Sequence, residues 1–306
     1  MRNALIDELT MLAEADPRVV LIVNDVGFSV VEGFQARHTD RFINAGVAEA
    51  NMIGMAAGLA LTGHRVFVYA IAPFTTYRVI EQIRLDLCRS RLPVTLVGLG
   101  GGFTYGQLGT THHATEDIAM LRALPNMQVL APCDAFEARS LMPHLGTGDG
   151  PVYLRLEKAG EIAVHASKPD VAPGRGVRVR WGADVTLVAC GTMVQVALAA
   201  AERLASQGVD AGVISAVSIK PLDSVLLDEL RARPVVTVEE HSVIGGLGGA
   251  LAEAAADAGA PAPRLRIGVP DRYAEVGGDQ AYLRSLMGLT PEGIAERVAS
   301  VFERAA

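Results

Sequence analysis

Val94-Thr95-Leu96-Val97-Gly98-Leu99 is an apolar run without a charged residue. Other strand-like runs in the first half of the chain are Val19–Val23, Val66–Tyr69, Gln128–Leu130 and Val152–Leu156. The stretches between them have the pattern of amphipathic helices, near 2–15, 48–62, 76–91, 116–123 and 134–145. Continuous apolar strands that alternate with helices are typical of a parallel sheet covered on both faces. The sequence therefore predicts an α/β fold, with a functional site in the loops at the strand ends.

A second domain follows, because the chain has 306 residues and a single core stops growing near ~250. The stretch Ser167–Gly176 is rich in Pro, Gly and charge, as inter-domain linkers are. Beyond it, further strands are predicted at Val185–Ala189, Val209–Ala216, Val235–Val238 and Leu265–Ile267, and helices near 193–207, 223–232, 247–258 and 291–304. We therefore predict domains at 1–165 and 183–306, joined by a linker at 166–182, each a mostly parallel sheet covered by helices.

The composition argues against several classes of protein. A net charge of −7 without a basic stripe is unfavourable for nucleic-acid binding. No apolar run reaches the ~18 residues of a spanning helix, and the N-terminus lacks the apolar core of a signal peptide. Cys88, Cys133 and Cys190 lie far apart without metal-ligand spacing, so we expect buried free thiols. These features predict a cytoplasmic protein with no nucleic-acid or membrane partner and no metal ligands of its own.

The segment Arg41–Ala60 is the most informative for chemistry. It contains one glutamate, Glu49, among small and apolar residues at the start of a predicted helix. Burial raises the pKa of a carboxyl unless a partner compensates, and such a group can donate or share a proton. The alternative is an ordinary acidic residue in the first turn of a helix, where the helix dipole favours it.

The sequence around Glu49 resembles the Gly-x-x-Glu-x-x-Met signature of the transketolase family, and the resemblance extends over almost the whole chain. It implies a thiamine diphosphate-binding pyrimidine domain followed by a transketolase C-terminal domain. In the family this glutamate contacts the aminopyrimidine of thiamine diphosphate and promotes its imino tautomer, while the cofactor carries out the carbanion chemistry. Asp25 matches a family aspartate near the cofactor.

An aromatic stretch, Tyr69–Arg84, is similar to the family segment in which one aromatic side chain stacks on the cofactor pyrimidine. Its register favours Phe74 for that role, with Tyr77 as the second candidate. The alternative for either residue is core packing.

The loop Gly106–His113 resembles the family's glycine-rich loop with its active-site histidine. The resemblance places His112 in contact with the substrate and His113 beside it, at a position where the family commonly has glutamine. An imidazole can donate or accept a proton near physiological pH. Ser29 matches a phosphate-contacting serine, and Lys158 stands in place of a phosphate-binding arginine.

Two residues depart from the pattern of sugar-phosphate transketolases. Leu108 replaces an aspartate that bonds a substrate hydroxyl, and Gly100 replaces a histidine found in several members. An unpaired substrate hydroxyl costs about 1–3 kcal/mol. The resemblance therefore implies a substrate other than the ordinary pentose phosphates, either a sugar or a sugar phosphate.

The family's Mg²⁺ and diphosphate motif, Gly-Asp-Gly followed by Asn-Asn, is missing. Gly148-Asp149-Gly150 has no Asn-Asn after it and is interpreted as a turn. The resemblance therefore implies a subunit of a split transketolase that is active only with an N-terminal partner holding Mg²⁺, in an α₂β₂ assembly. The alternatives are the beta subunit of a 2-oxoacid dehydrogenase and a non-catalytic paralogue in a larger assembly.

Overall fold

The computed structural model describes residues 1–158 and 160–303 and shows two mostly parallel sheets covered by helices. This confirms the predicted α/β class. Among the described residues, no helix combines the length and the apolar character that a membrane span requires.

The first sheet has seven strands in the order β10-β5-β6-β4-β3-β1-β2. All of its pairs are parallel except β10 with β5. Its strands are β1 (Val19–Val23), β2 (Phe42–Asn44), β3 (Arg65–Ile71), β4 (Thr95–Leu99), β5 (Gln128–Leu130), β6 (Val152–Leu156) and β10 (Ser218–Lys220). Strands β1, β4 and β6 are buried along their whole length, because helices cover both faces of the sheet.

Among the described residues, seven α-helices accompany this sheet. They are α1 (Arg2–Ala15), α2 (Glu32–Arg37), α3 (Glu49–Leu61), α4 (Ala72–Thr75), α5 (Ile80–Gln82), α6 (Asp117–Arg122) and α7 (Ala135–Leu141). One apolar cluster packs α3 against one face of the sheet, and a second cluster packs α1 and α7 against the other face.

The second sheet has the order β12-β11-β8-β9-β7 and is parallel except for β7. Its strands are β7 (Val177–Arg180), β8 (Val185–Ala189), β9 (Ala211–Ser215), β11 (Val235–Ser242) and β12 (Leu265–Val269). Its helices are α8 (Met193–Ser206), α9 (Val225–Ala232), α10 (Leu247–Asp257), α11 (Gln280–Leu286) and α12 (Pro291–Glu303).

Two of the predicted helices differ from those of the structure, and α2 and α11 were not predicted. The predicted helix 76–91 is wrong in its first part, because Thr76 leaves helical geometry and separates α4 from a helix that runs from Ile80 to Cys88 and ends in a π-helical segment. The predicted helix 134–145 ends as an α-helix at Leu141, where Pro143 has no N–H to continue the ladder.

Part of the predicted linker is ordered sheet. Residues 177–180 form β7, an antiparallel edge strand on β9. In the opposite direction, β10 leaves the second domain and adds an edge strand to the first sheet. The two domains are therefore interlocked, while the boundaries 1–165 and 183–306 stay a prediction.

The carboxyl ends of the parallel strands define one edge of the first sheet. Asn24 follows β1, Phe74 follows β3, Gly100 follows β4 and Lys158 lies just beyond β6. Open α/β sheets bind ligands in the crevice at this edge. The fold therefore brings together residues that are far apart in the sequence.

Candidate active site

Glu49 is the first residue of α3 and is only 5% exposed. Its Oε1 accepts hydrogen bonds from Arg78 Nη1 at 2.8 Å and from Asn24 Nδ2 at 3.3 Å. Both interpretations of Glu49 from the sequence hold in part, because the carboxylate is buried and also lies at a helix N-terminus. The arrangement gives a buried carboxylate with one ionic and one amide partner.

Phe74 and Glu49 share one neighbour, Arg78. The Arg78 guanidinium carbon stands 4.2 Å from the centroid of the Phe74 ring, while its Nη1 bonds Glu49. The half-buried aromatic ring and the buried carboxylate thus face the same cation.

His112 joins this group from the glycine-rich loop. Its ring meets the Phe74 ring edge-on, with centroids 5.2 Å apart, and its Nδ1 lies 2.9 Å from the hydroxyl of Thr111. Burial lowers the pKa of His112, and the nearby positive charge of Arg78 lowers it further. The imidazole is therefore neutral at physiological pH, able to accept or donate a proton.

Tyr77 points to a different neighbour. Its hydroxyl donates to Glu116 Oε2 at 3.0 Å and accepts from the Glu116 backbone N–H at 2.9 Å. Burial raises its pKa well above the ordinary value. These contacts anchor the start of α6, so Phe74 fits the predicted stacking role better than Tyr77.

His113 turns away from its neighbour His112 in the chain. It is buried, packs edge-on against Phe103 at 5.2 Å, and places Nε2 3.4 Å from the carbonyl oxygen of Gly106. This environment favours a structural role for His113 over the predicted contact with substrate.

Asp25 and Ser29 lie on the exposed loop after β1. Asp25 exchanges two hydrogen bonds with Asn44, at 3.0 and 3.1 Å, and the Ser29 N–H donates to Glu32 at 2.6 Å. Both residues have left-handed backbone angles, with φ of 59° and 63°. The predicted roles of Asp25 and Ser29 remain predictions, on a loop that starts next to the buried Asn24.

Lys158 is exposed at the mouth of a cleft of about 330 Å³. Its Nζ stands 5.2 Å from the centroid of the Tyr105 ring. The cleft is lined by residues 104–108, Lys158, Asp279 and Gln280, so both domains contribute to it.

Three residues of this region were not predicted from the sequence as parts of the site: Asn24, Arg78 and Tyr105. Asn24 could have been found from its place directly after β1. Arg78 follows Phe74 by four residues, but its contact with Glu49 depends on the irregular turn at Thr76. Nothing in the sequence marks Tyr105 as a neighbour of Lys158.

Two places have ligand types suited to a metal. Asp149, in the Gly148–Gly150 turn, is exposed and pairs with Arg91 at 2.9 Å. Cys133, Glu137 and His165 bring ligand atoms within 4.8 Å of one another, but Glu137 already bonds His165 at 2.9 Å and the Cys133 N–H at 2.7 Å. Burial raises the pKa of the Cys133 thiol far above its ordinary value. Hydrogen bonds and ion pairs within the protein thus account for the arrangement of the side chains at both places.

The comparisons with known proteins agree over the whole chain. Residues 1–160 match the transketolase pyrimidine binding domain, and residues 174–294 match the transketolase C-terminal domain. The chain is 38% identical over 307 residues to the 6-deoxy-6-sulfo-D-fructose transketolase subunit SqwH of Clostridium sp. (strain MSTE9), covering 99% of this chain and 95% of that protein. It is 37% identical over 301 residues to a putative transketolase C-terminal section of Methanocaldococcus jannaschii, covering 97% and 95%.

A solved structure described as a split gene transketolase, inactive beta4 tetramer, superimposes with a TM-score of 0.88 at 36% identity, covering 98% of this chain and 97% of that one. Both family domains are present in order, and the aligned chains match almost end to end. The chain belongs to the transketolase family and carries its pyrimidine binding domain followed by its C-terminal domain.

Proposed function

We propose that this chain supplies the activating half of a thiamine diphosphate-dependent transketolase, which moves a two-carbon ketol unit from a ketose to an aldose. The observation that carries the proposal is the buried Glu49 carboxylate beside the Phe74 ring at the carboxyl edge of the first sheet.

The residues around Glu49 fit an aminopyrimidine ring. Asn24 Oδ1 is buried without a hydrogen-bond partner among the described residues, so it is an acceptor that an amino group could satisfy. The Phe74 ring offers a surface for stacking, which Arg78 covers here. Glu49, Asn24 and Phe74 would hold the pyrimidine of thiamine diphosphate.

Thiamine diphosphate, when bound, supplies the carbanion chemistry of ketol transfer. Glu49 would share a proton with a ring nitrogen of the pyrimidine, from a carboxylate shielded from water. His112, kept neutral by its environment, would donate or accept a proton at a substrate oxygen. Lys158 would bind an anionic end of the sugar as a point charge.

We propose that an N-terminal partner subunit holds the diphosphate and Mg²⁺. The Gly148–Gly150 turn supports this proposal. In the described part of the chain, the only charged contact of Asp149 is its ion pair with Arg91, so this carboxylate already has a partner. We also propose an α₂β₂ assembly, and helix α3 supports contact with another chain, because Gly54, Gly58 and Leu61 form an exposed face without charged residues. Such an apolar face is typical of a protein interface.

The test of this function is Glu49→Gln in the complex reconstituted with the N-terminal subunit. We expect turnover of a ketose donor to fall at least ~100-fold, because proton transfer by a positioned group contributes about 10²–10⁴. Glu202→Gln, at an exposed position on α8, is the control and should leave turnover unchanged.

Size-exclusion chromatography must show that both variants still assemble. Unchanged turnover in Glu49→Gln would contradict the catalytic assignment and favour a non-catalytic paralogue. If the wild-type complex decarboxylates pyruvate and turns over no sugar, the chain is instead a subunit of a 2-oxoacid dehydrogenase.

A further inference from the structure

Tyr105 occupies the space next to Gly100, one of the two positions that depart from sugar-phosphate transketolases. A Cβ atom at Gly100 would lie 2.2 Å from Cε2 of the Tyr105 ring, and Gly100 has a φ of +76°. No other residue type can be placed at Gly100 without moving that ring. The glycine therefore makes room for the tyrosine.

The Tyr105 ring is a neighbour of two residues with proposed roles. Its centroid is 6.3 Å from that of the His112 ring and 5.2 Å from Lys158 Nζ. The phenol is therefore within reach of a sugar chain that contacts both His112 and Lys158.

Three other polar side chains of the cleft already have hydrogen-bond partners. The Thr104 hydroxyl lies 2.8 Å from the Gly101 carbonyl oxygen and also contacts the Glu157 carboxyl, and the Gln280 amide donates to Glu240. Asp279 caps α11 by accepting from the Tyr282 N–H. The Tyr105 hydroxyl, in contrast, takes part in no hydrogen bond with the part of the chain that is described.

Leu108 gives the same cleft an apolar wall, with 56% of its surface exposed. It cannot bond a sugar hydroxyl, so a hydroxyl entering here needs another partner. A phenol can both donate and accept a hydrogen bond. Partial burial raises the pKa of Tyr105, which keeps the phenol protonated at physiological pH.

We infer that Tyr105 is a specificity-determining residue that reads a hydroxyl of the sugar chain, between the reacting end at His112 and an anionic end at Lys158. The substrate class is therefore a ketose with a terminal anion, such as a phosphate or a sulfonate. This inference rests on the proposed transketolase function.

The test is Tyr105→Phe in the complex reconstituted with the N-terminal subunit, since this variant removes the hydroxyl and keeps the ring. The donors are fructose 6-phosphate, xylulose 5-phosphate and 6-deoxy-6-sulfofructose. For the best of them we expect kcat/KM to fall about 3- to 10-fold, mostly through KM, which is the size of one neutral hydrogen bond. Tyr273→Phe, at an exposed tyrosine, is the matched control.

A short donor separates specificity from structure. Hydroxypyruvate delivers the same ketol unit but has no chain to reach the phenol, so Tyr105→Phe should change its kcat/KM less than 2-fold. An equal loss with both kinds of donor, or no loss with the sugar, would overturn the role of Tyr105 alone. Failure of the wild-type complex to turn over any of the four donors would overturn the proposed function itself.

Discussion

The Glu49 carboxylate is held from two sides, by the Arg78 guanidinium and by the Asn24 amide. Leaving a charged group buried without partners costs several kcal/mol, so these two contacts explain how an acidic residue is tolerated there. Arg78 is 51% exposed on its side chain, whereas Glu49 is 6% exposed. The arginine is thus the partner that can move when a ligand ring approaches Phe74.

Removing the arginine should destabilise the chain through Glu49. We expect Arg78→Met to lower the free energy of unfolding by ~1–2 kcal/mol, less than for a fully buried pair because water screens the exposed partner. The double variant, Arg78→Met with Glu49→Gln, should lose ~1 kcal/mol less unfolding free energy than the sum of the two single losses. Chemical denaturation of the four proteins measures this coupling.

Arg84→Met is the control, because Arg84 is an exposed arginine nearby in the chain, in the π-helical segment Ile83–Cys88. It should change the unfolding free energy by less than ~0.5 kcal/mol. Strictly additive losses for Arg78 and Glu49 would contradict the proposed pairing.

At the scale of elements, most strands were predictable, whereas the strands β2, β7 and β10 and the irregular helices were not. The runs at β1, β5 and β6 were predicted with their observed bounds, because strands inside a parallel sheet are mostly apolar. The break at Thr76 and the π-helical turn at Ile83–Cys88 leave no periodic signal. The position of Arg78 against Glu49 depends on that break, which is why this part of the site could not be predicted from the sequence.

Strand β4 tests the packing of the first sheet. A Cβ atom at Gly98 would lie 2.5 Å from Cε2 of Tyr153, whose hydroxyl donates to the buried Asp117 at 2.6 Å. We expect Gly98→Ala to lower the free energy of unfolding by ~1–3 kcal/mol through overpacking. Thermal or chemical denaturation measures the change.

Gly33→Ala gives a matched comparison of opposite sign. Gly33 lies in α2, and a Cβ atom there would meet no atom within 4 Å. Alanine should stabilise this helix by ~0.5–1 kcal/mol. Equal effects at the two glycines would show that Tyr153 does not constrain β4.

At the scale of the whole molecule, buried polar groups join the two domains. Arg155 of β6 bonds Asp117 at 2.8 Å and the carbonyl oxygen of Glu240 at 3.0 Å. His241 accepts from the Ala119 N–H at 3.2 Å. The two domains were predictable from the sequence, but these cross-domain bonds and the exchanged strand β10 were not, because they pair residues 85 or more apart in sequence.

The junction between the two domains also contains a glutamate, Glu157, whose protonation makes the free energy of unfolding depend on pH. Burial raises the pKa of Glu157 above its ordinary value of 4.5, and the neighbouring Glu240 raises it further. The folded state then binds the proton more tightly than the unfolded state, so this contribution to stability is lost as the pH rises above 4.5. Glu157→Gln should remove that loss.

Unfolding free energies measured between pH 4.5 and pH 8 test this prediction. The variant should gain stability relative to the wild type as the pH rises, whereas the exposed Glu202→Gln should follow the wild type. Parallel curves for Glu157→Gln and the wild type would contradict a raised pKa.

The central claim is that this chain holds the activating half of the thiamine diphosphate site and needs a partner for the other half. Titration calorimetry with thiamine diphosphate and Mg²⁺ tests it most directly, first on the isolated chain and then on an equimolar mixture with the N-terminal subunit. We predict weak or no binding to the isolated chain and tight binding, at one cofactor per pair of chains, to the mixture. Tight binding to the isolated chain, or none to an assembled mixture, would contradict the account.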